Sequence, residues 1–106
     1  MEWLIAYITA GDLEEGNRIA QHLLEQNLVA CVNILPQCQS WYAWEGRIEH
    51  SQEVLLIAKT RVEKKDFVSK AVEAVHSYEC PCVVFIPVMG ANSKYESWLH
   101  QQFANK

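Results

Sequence analysis

The stretch from Ser40 to Thr60 limits the fold more than any other. It opens with the aromatic run SWYAW (40–44), breaks at Glu45-Gly46, and continues as a long run from Arg47 to Thr60. An Xaa-Gly pair between two strand-like runs is a hairpin signal, because Gly accepts positive φ. The second arm alternates only in part. Glu49, Ser51 and Glu53 share one face, but Val54 to Ala58 is continuously apolar. That change predicts a strand exposed near the turn and buried at its base.

The flanking segments supply the rest of the architecture. Trp3 to Thr9 is an apolar run of strand length, broken by Gly11. Asp12 and Glu15 form a D-x-x-E capping box at a helix start. Leu13, Gly16, Ala20, Leu23 and Leu24 then fall on one helical face, and Asn27 marks the stop. Val29 to Leu35 reads as a strand ended by Pro36, which leaves Cys38 in a loop. Phe67, Val68, Ala71, Val72 and Val75 form a second helical stripe, and Val83 to Val88 a β-branched strand. Ser93 and Glu96 give another capping box, ahead of a stripe of Tyr95, Trp98, Leu99 and Phe103. The order is βαββαβ plus one helix: an α+β, ferredoxin-like antiparallel sheet with two helices on one face and a long hairpin between the second and third strands. With 106 residues and no linker or repeat, one domain spanning 1–106 is expected.

Composition narrows the function. The net charge is -4, and the basic residues concentrate only between Arg61 and Lys65. This disfavours nucleic-acid binding, which needs clustered Lys and Arg, and the run reads as a solvated helix start. No signal-peptide pattern and no membrane-length apolar segment is seen, so a cytoplasmic protein is expected, without a membrane partner. Cys31, Cys38, Cys80 and Cys82 are then expected to stay reduced. Trp41, Tyr42 and Trp44 at the hairpin tip predict that another subunit covers this edge.

The candidate chemistry is sparse. If Cys82 begins the last strand, Cys80 and Cys82 point to opposite faces and cannot share one ion. Cys31 reads as a core thiol. His76 closes the second helical stripe, where the dipole favours a capping imidazole; as a ligand it would need Glu79 or Glu53. His22, His50 and His100 read as solvated. No phosphate-binding Gly loop, nucleophile elbow or zinc pattern is present.

Several separated segments resemble the CutA divalent-ion (copper) tolerance family. They are ACVNILP at 30–36, WYAWEGRIE at 41–49, Glu53, Lys59-Thr60, the His-x-Tyr-Glu-x-Pro pattern at 76–81 and YESWL at 95–99. The resemblance implies a homotrimer, similar in shape to the PII signalling proteins, with hairpins paired across subunits. It implies a role in the response to metal ions, copper above all, with no catalytic reaction and no required cofactor. By position it places Trp44, Glu53, Lys59, His76, Tyr78, Glu79, Tyr95 and Trp98 around clefts between subunits. Such a set of acceptors, a cation and aromatic walls suits a small-ligand pocket; for Tyr95 and Trp98 plain helix packing is the competing reading.

The departures matter. Ser77 stands where the family commonly has proline and Cys82 where it has glutamate. Ile8 and Val75 stand where some members have cysteine and histidine as copper ligands. Of that ligand set His76 remains, with Glu53 as a carboxylate neighbour, and soft ions that bind would use Cys38 or Cys82. The competing function is a PII-like sensor with small-molecule clefts between subunits. An acylphosphatase-like hydrolase needs an arginine in a phosphate-cradling loop, and Arg18, Arg47 and Arg61 are not so placed. An RNA-recognition domain needs aromatic and basic residues that Val54 to Ala58 lacks.

Overall fold

The turn at Glu45-Gly46 forms as its chemistry requires. In the computed structural model, which describes residues 2–104, Glu45 and Gly46 have φ of 51° and 79°. Two successive positive φ values belong to a type I′ turn, whose twist matches that of the flanking strands. The ladder closes at Trp44↔Arg47 and joins β2 (Cys31–Trp44) to β3 (Arg47–Arg61). The outermost positions of the expected domain, 1 and 105–106, lie outside the described residues.

Strand β1 (Trp3–Ala10) pairs antiparallel with β3 on one side and with β4 (Val83–Val88) on the other. The sheet order is β2-β3-β1-β4. Pairing between β1 and β3 ends at Ala10↔Val54, so β3 from Glu53 outward is held only by β2. The hairpin therefore projects as a two-stranded arm, and the molecule extends 45 × 25 × 22 Å. Trp41 is 69 % and Ile48 80 % exposed on this arm.

Strand β2 differs from expectation. Pro36 does not end it, and Cys38 is not in a loop. Leu35 pairs with Leu55 and Cys38 with Glu53, so Pro36 and Gln37 together stand opposite Val54. Two residues against one is a β-bulge, and Gln37 has φ 62° there. The strand lies at the sheet edge, where proline's missing N–H costs no ladder bond.

Helices α1 (Leu13–Glu25) and α2 (Lys65–Val75) cover one face. Ala6, Ile8, Ala10, Leu56 and Ala58 meet Ile19, Leu23, Val68 and Val72 in the core. Gly16 allows the close approach of α1: a Cβ there would lie 3.0 Å from Val54 Cγ2. The buried face of α1 is Glu15, Gly16, Ile19 and Leu23. Leu13 and Leu24, expected on it, are exposed at 49 % and 42 %, as is Phe67 on α2. Leucines flanking a 100°-spaced stripe fit either edge of it, and the sheet contacts select the side. The expected stop at Asn27 is present, with φ 57°.

Helix α3 (Ser93–Ala104) takes the opposite face. It begins at Ser93 itself, and the Asn92 carbonyl accepts from the Glu96 amide, so Ser93 is not the residue preceding the helix. Leu99, with Tyr95 and Phe103 beside it, packs on Trp3, Ala30 and Val88 at one end of β1. Strand alternation puts Trp3 and Val88 on the side away from α1 and α2. Beyond α3 that face is open, and Val84 and Ile86 are exposed on it.

Candidate functional site

The first cluster grows from the capping box of α1. Asp12 caps the helix by accepting the Glu15 amide at 2.8 Å. The Glu15 side chain does not return to the Asp12 amide. Its Oε1 accepts from the Gly11 amide at 2.9 Å and its Oε2 from the Ser77 amide at 2.7 Å. Glu15 is only 3 % exposed. Burial pushes its carboxyl up, but the Gly11 amide and the Ser77 contacts outweigh burial and hold it below the usual value. One carboxylate thus joins the end of β1 to the segment after α2.

His76 stands at the C-cap of α2, as the sequence suggests, with its side chain fully buried. Its Nδ1 accepts the Tyr78 amide at 3.1 Å, and its Nε2 lies 2.7 Å from the Thr9 carbonyl oxygen. A carbonyl only accepts, so Nε2 carries the proton and Nδ1 does not. The Glu15 carboxylate lies 3.7 Å from Nδ1. Tyr78 leans on the imidazole, with ring centroids 4.5 Å apart, and donates its hydroxyl to Glu53 Oε2 at 2.7 Å. Burial, then the Glu53 carboxylate, push the Tyr78 hydroxyl well above its usual value. Glu53 itself is buried at the base of the arm.

Cys82 lies near this cluster. It precedes β4, which starts at Val83, so alternation does not govern Cys80 and Cys82. Cys80 is exposed and Cys82 half-buried. Burial raises the Cys82 thiol, and the charges of Glu53 and Cys80 add to this; the Thr9 side chain acts the other way.

A second cluster lies toward the other end of β1. Lys59 Nζ donates to Asn33 Oδ1 at 3.3 Å and approaches Cys31 Sγ at 3.6 Å and the Tyr95 ring centroid at 5.4 Å. Cys31 Sγ lies 3.4 Å from the Tyr95 hydroxyl. Cys31 is therefore not in the helix-side core; it faces α3 with Lys59, because Cys31↔Lys59 is a register pair. Burial pulls the Lys59 ammonium down, but the Tyr95 and Cys31 contacts raise it overall. Trp98 stacks on Tyr95 at 5.5 Å.

The expected cleft residues thus fall in separate places within the chain. Glu53, His76 and Tyr78 form one cluster, and Lys59, Tyr95 and Trp98 the other. Trp44 stands at the hairpin tip, and Glu79 is exposed. Beyond its helix cap Glu15 carries no local sequence signal, because its Ser77 partner lies 62 positions away.

The fit to a metal ion is poor within one chain. Among the described residues no group of three or more His, Cys, Asp or Glu side chains is placed to hold one. Both His76 nitrogens are engaged by backbone groups. Ile8 and Val75 belong to the apolar packing, and a raised thiol leaves Cys82 a poor thiolate donor. No helix among the described residues is long and apolar enough to cross a membrane.

An antiparallel four-stranded sheet, helices on both faces and a projecting hairpin define a small α+β protein with hydrogen-bonded clusters at the two ends of its central β1 strand. The chain belongs to the CutA1 divalent ion tolerance family, whose model matches residues 4–102. It is 46 % identical over 95 residues to the divalent-cation tolerance protein CutA of Archaeoglobus fulgidus, covering 90 % of this chain and 92 % of that protein. The chloroplastic protein CutA 1 of rice is 41 % identical over 91 % of this chain. This chain spans 54 % of that relative's length. The crystal structure of rice CutA1 superposes with a TM-score of 0.93 at 37 % identity, covering 100 % of this chain and 97 % of that one. The Archaeoglobus fulgidus structure, described as periplasmic, gives 0.91 at 44 % identity, covering 95 % and 98 %.

Proposed function

We propose that the protein acts in divalent-cation tolerance as a non-catalytic cytoplasmic homotrimer that meets metal ions weakly or through partner proteins. The observation that carries this reading is the open sheet face. Ile5, Tyr7, Leu55 and Ile57 are only half-buried there, and Val84 and Ile86 are exposed. A contiguous apolar face on so small a chain marks an interaction surface. The β2 edge and the exposed tip aromatics add a second surface that self-association would cover. A ferredoxin-like subunit in a PII-like trimer brings such faces together and pairs the arms. The tolerance role is supported by the name of the Archaeoglobus fulgidus relative. Weak metal binding is supported by the engaged His76 nitrogens. Copper above all, or another divalent ion, would then bind where subunits meet or at Cys38 and Cys82.

Sedimentation velocity at micromolar concentration tests the oligomer: a mass of three chains is expected, and a clean monomer refutes it. Calorimetry with Cu(I) and Cu(II) tests the metal reading in the same samples. Weak binding that falls further in Cys38→Ser and Cys82→Ser is expected. Unchanged affinity in both single variants and the double removes the thiol route. A tight site lost in His76→Gln overturns weak binding altogether.

A further inference from the structure

Under α3 lies a cavity of about 270 Å³, bounded by β1, Val88, Gly90 and the Tyr95–Leu99 face of the helix. Trp3 and Lys59 both line it. Trp3 is 2 % exposed, and its indole Nε1 is buried without a hydrogen-bond partner among the described residues. An indole N–H can only donate, and leaving such a donor buried and unpaired is costly, so native proteins rarely do it. Lys59 brings a positive charge that no carboxylate neutralises: among the described residues no ion pair includes it. Its contacts are an amide oxygen, a thiol and a ring face. The remaining walls, Ile5, Val88 and Leu99, are apolar. The cavity therefore asks for an apolar body, one oxygen acceptor and one negative charge.

We propose that this cavity binds a small organic carboxylate with a compact apolar body, its charge on Lys59 and an oxygen accepting from Trp3 Nε1. Its volume lies just below the range of ~300–1,000 Å³ usual for drug-sized ligands, which limits the ligand to about one ring or a short branched chain. An inorganic anion would satisfy Lys59 but leave the apolar walls unfilled. A neutral alcohol would satisfy Trp3 but leave the charge unpaired. Every group named belongs to one chain, but Ile5 also lies on the sheet face assigned above to self-association, so the inference rests on that reading leaving the cavity under α3 unfilled.

The test is an indole spectrum of the protein labelled with 15N-tryptophan, titrated with phenylacetate, mandelate, 2-phenylethanol and inorganic phosphate. Four tryptophans give four signals. Trp41→Phe, Trp44→Phe and Trp98→Phe assign three of them and leave Trp3 by elimination, with its packing intact. The Trp3 signal is expected to move with phenylacetate or mandelate and to stay still with phosphate. The neutral alcohol is expected to bind about tenfold more weakly, as is phenylacetate to Lys59→Met, because each loses the charge-assisted bond. A Trp3 signal that no carboxylate moves at millimolar concentration overturns the proposal. So does Lys59→Met binding phenylacetate as well as the parent. A Trp3 signal that shifts with protein concentration but not with ligand would mean that a second copy supplies the acceptor, which also overturns it.

Discussion

Replacing Glu15 with Gln tests the role of the buried clamp most directly. The carboxylate accepts two backbone N–H groups, from Gly11 at 2.9 Å and Ser77 at 2.7 Å. Glutamine keeps one acceptor oxygen and turns an NH₂ donor toward the other amide. One bond falls from charged to neutral, and one buried N–H loses its partner. Hydrogen bonds to charged groups contribute about 1.5–3 kcal/mol, and an unsatisfied buried group costs about 1–3 kcal/mol. The combined loss is about 2–4 kcal/mol at pH 7, a large share of the ~5–15 kcal/mol that holds a typical domain. The assay is denaturant unfolding at one fixed protein concentration, which keeps any association constant between variants. The pH dependence sharpens it. The Glu15 carboxyl is held below its ordinary value of 4.5 when folded. Its contribution is therefore complete above the unfolded pKa and lost as pH falls through the folded one. The gap between parent and Glu15→Gln should narrow below about pH 4.5. Glu14→Gln, on the exposed side of the same turn, is the control and should change stability by less than ~0.5 kcal/mol. A Glu15→Gln loss as small as the control's, or a gap that stays constant down to pH 3, would refute the clamp.

Two further substitutions probe the arm. Tyr78→Phe leaves the buried Glu53 carboxylate without its hydroxyl donor and should cost about 1–3 kcal/mol in the same unfolding assay; an unchanged midpoint would show that Glu53 finds water or another donor. Glu45→Asn places a residue that tolerates the left-handed region where φ is 51°. It should stabilise by about 0.5–1 kcal/mol and raise the thermal midpoint by a few degrees, read by calorimetry. A lowered midpoint would mean that Glu45 makes a contact worth more than its backbone strain.

The elements that alternate cleanly, or that carry their own punctuation, were legible in the sequence. Glu45-Gly46, Asp12 and Asn27 each act through their own backbone or a neighbour a few residues away, so their roles follow from local chemistry. Pro36 misled because its meaning depends on neighbours: in a central strand it would break the ladder, and at an edge it only bulges it. The side taken by α3 was open for a similar reason. Its stripe of Tyr95, Leu99 and Phe103 shows that it packs, but not on which face of the sheet. The His76–Tyr78–Glu53 grouping came from pattern resemblance, whereas its hydrogen bonds join residues 25 and 67 positions apart. Lys59 and Tyr95 stand out in the sequence only through the same resemblance. Trp3, which completes their cavity, looked like ordinary strand residue because an unpaired N–H has no sequence signature.

The bulge at Pro36–Gln37 also acts as a phase shifter. Before it, the odd-numbered residues of β2, Cys31, Asn33 and Leu35, share the face of Lys59, Ile57 and Leu55. After it the even-numbered ones do, since Cys38, Tyr42 and Trp44 pair with Glu53, Glu49 and Arg47. The base and the arm of one strand thus carry opposite parity, joined by a single extra residue. Deleting Gln37 would re-phase the arm, sending Tyr42 and Trp44 to the side now held by Trp41 and leaving the base untouched. One inserted position therefore decides which surface of the arm is aromatic, independently of everything the sheet beneath it needs.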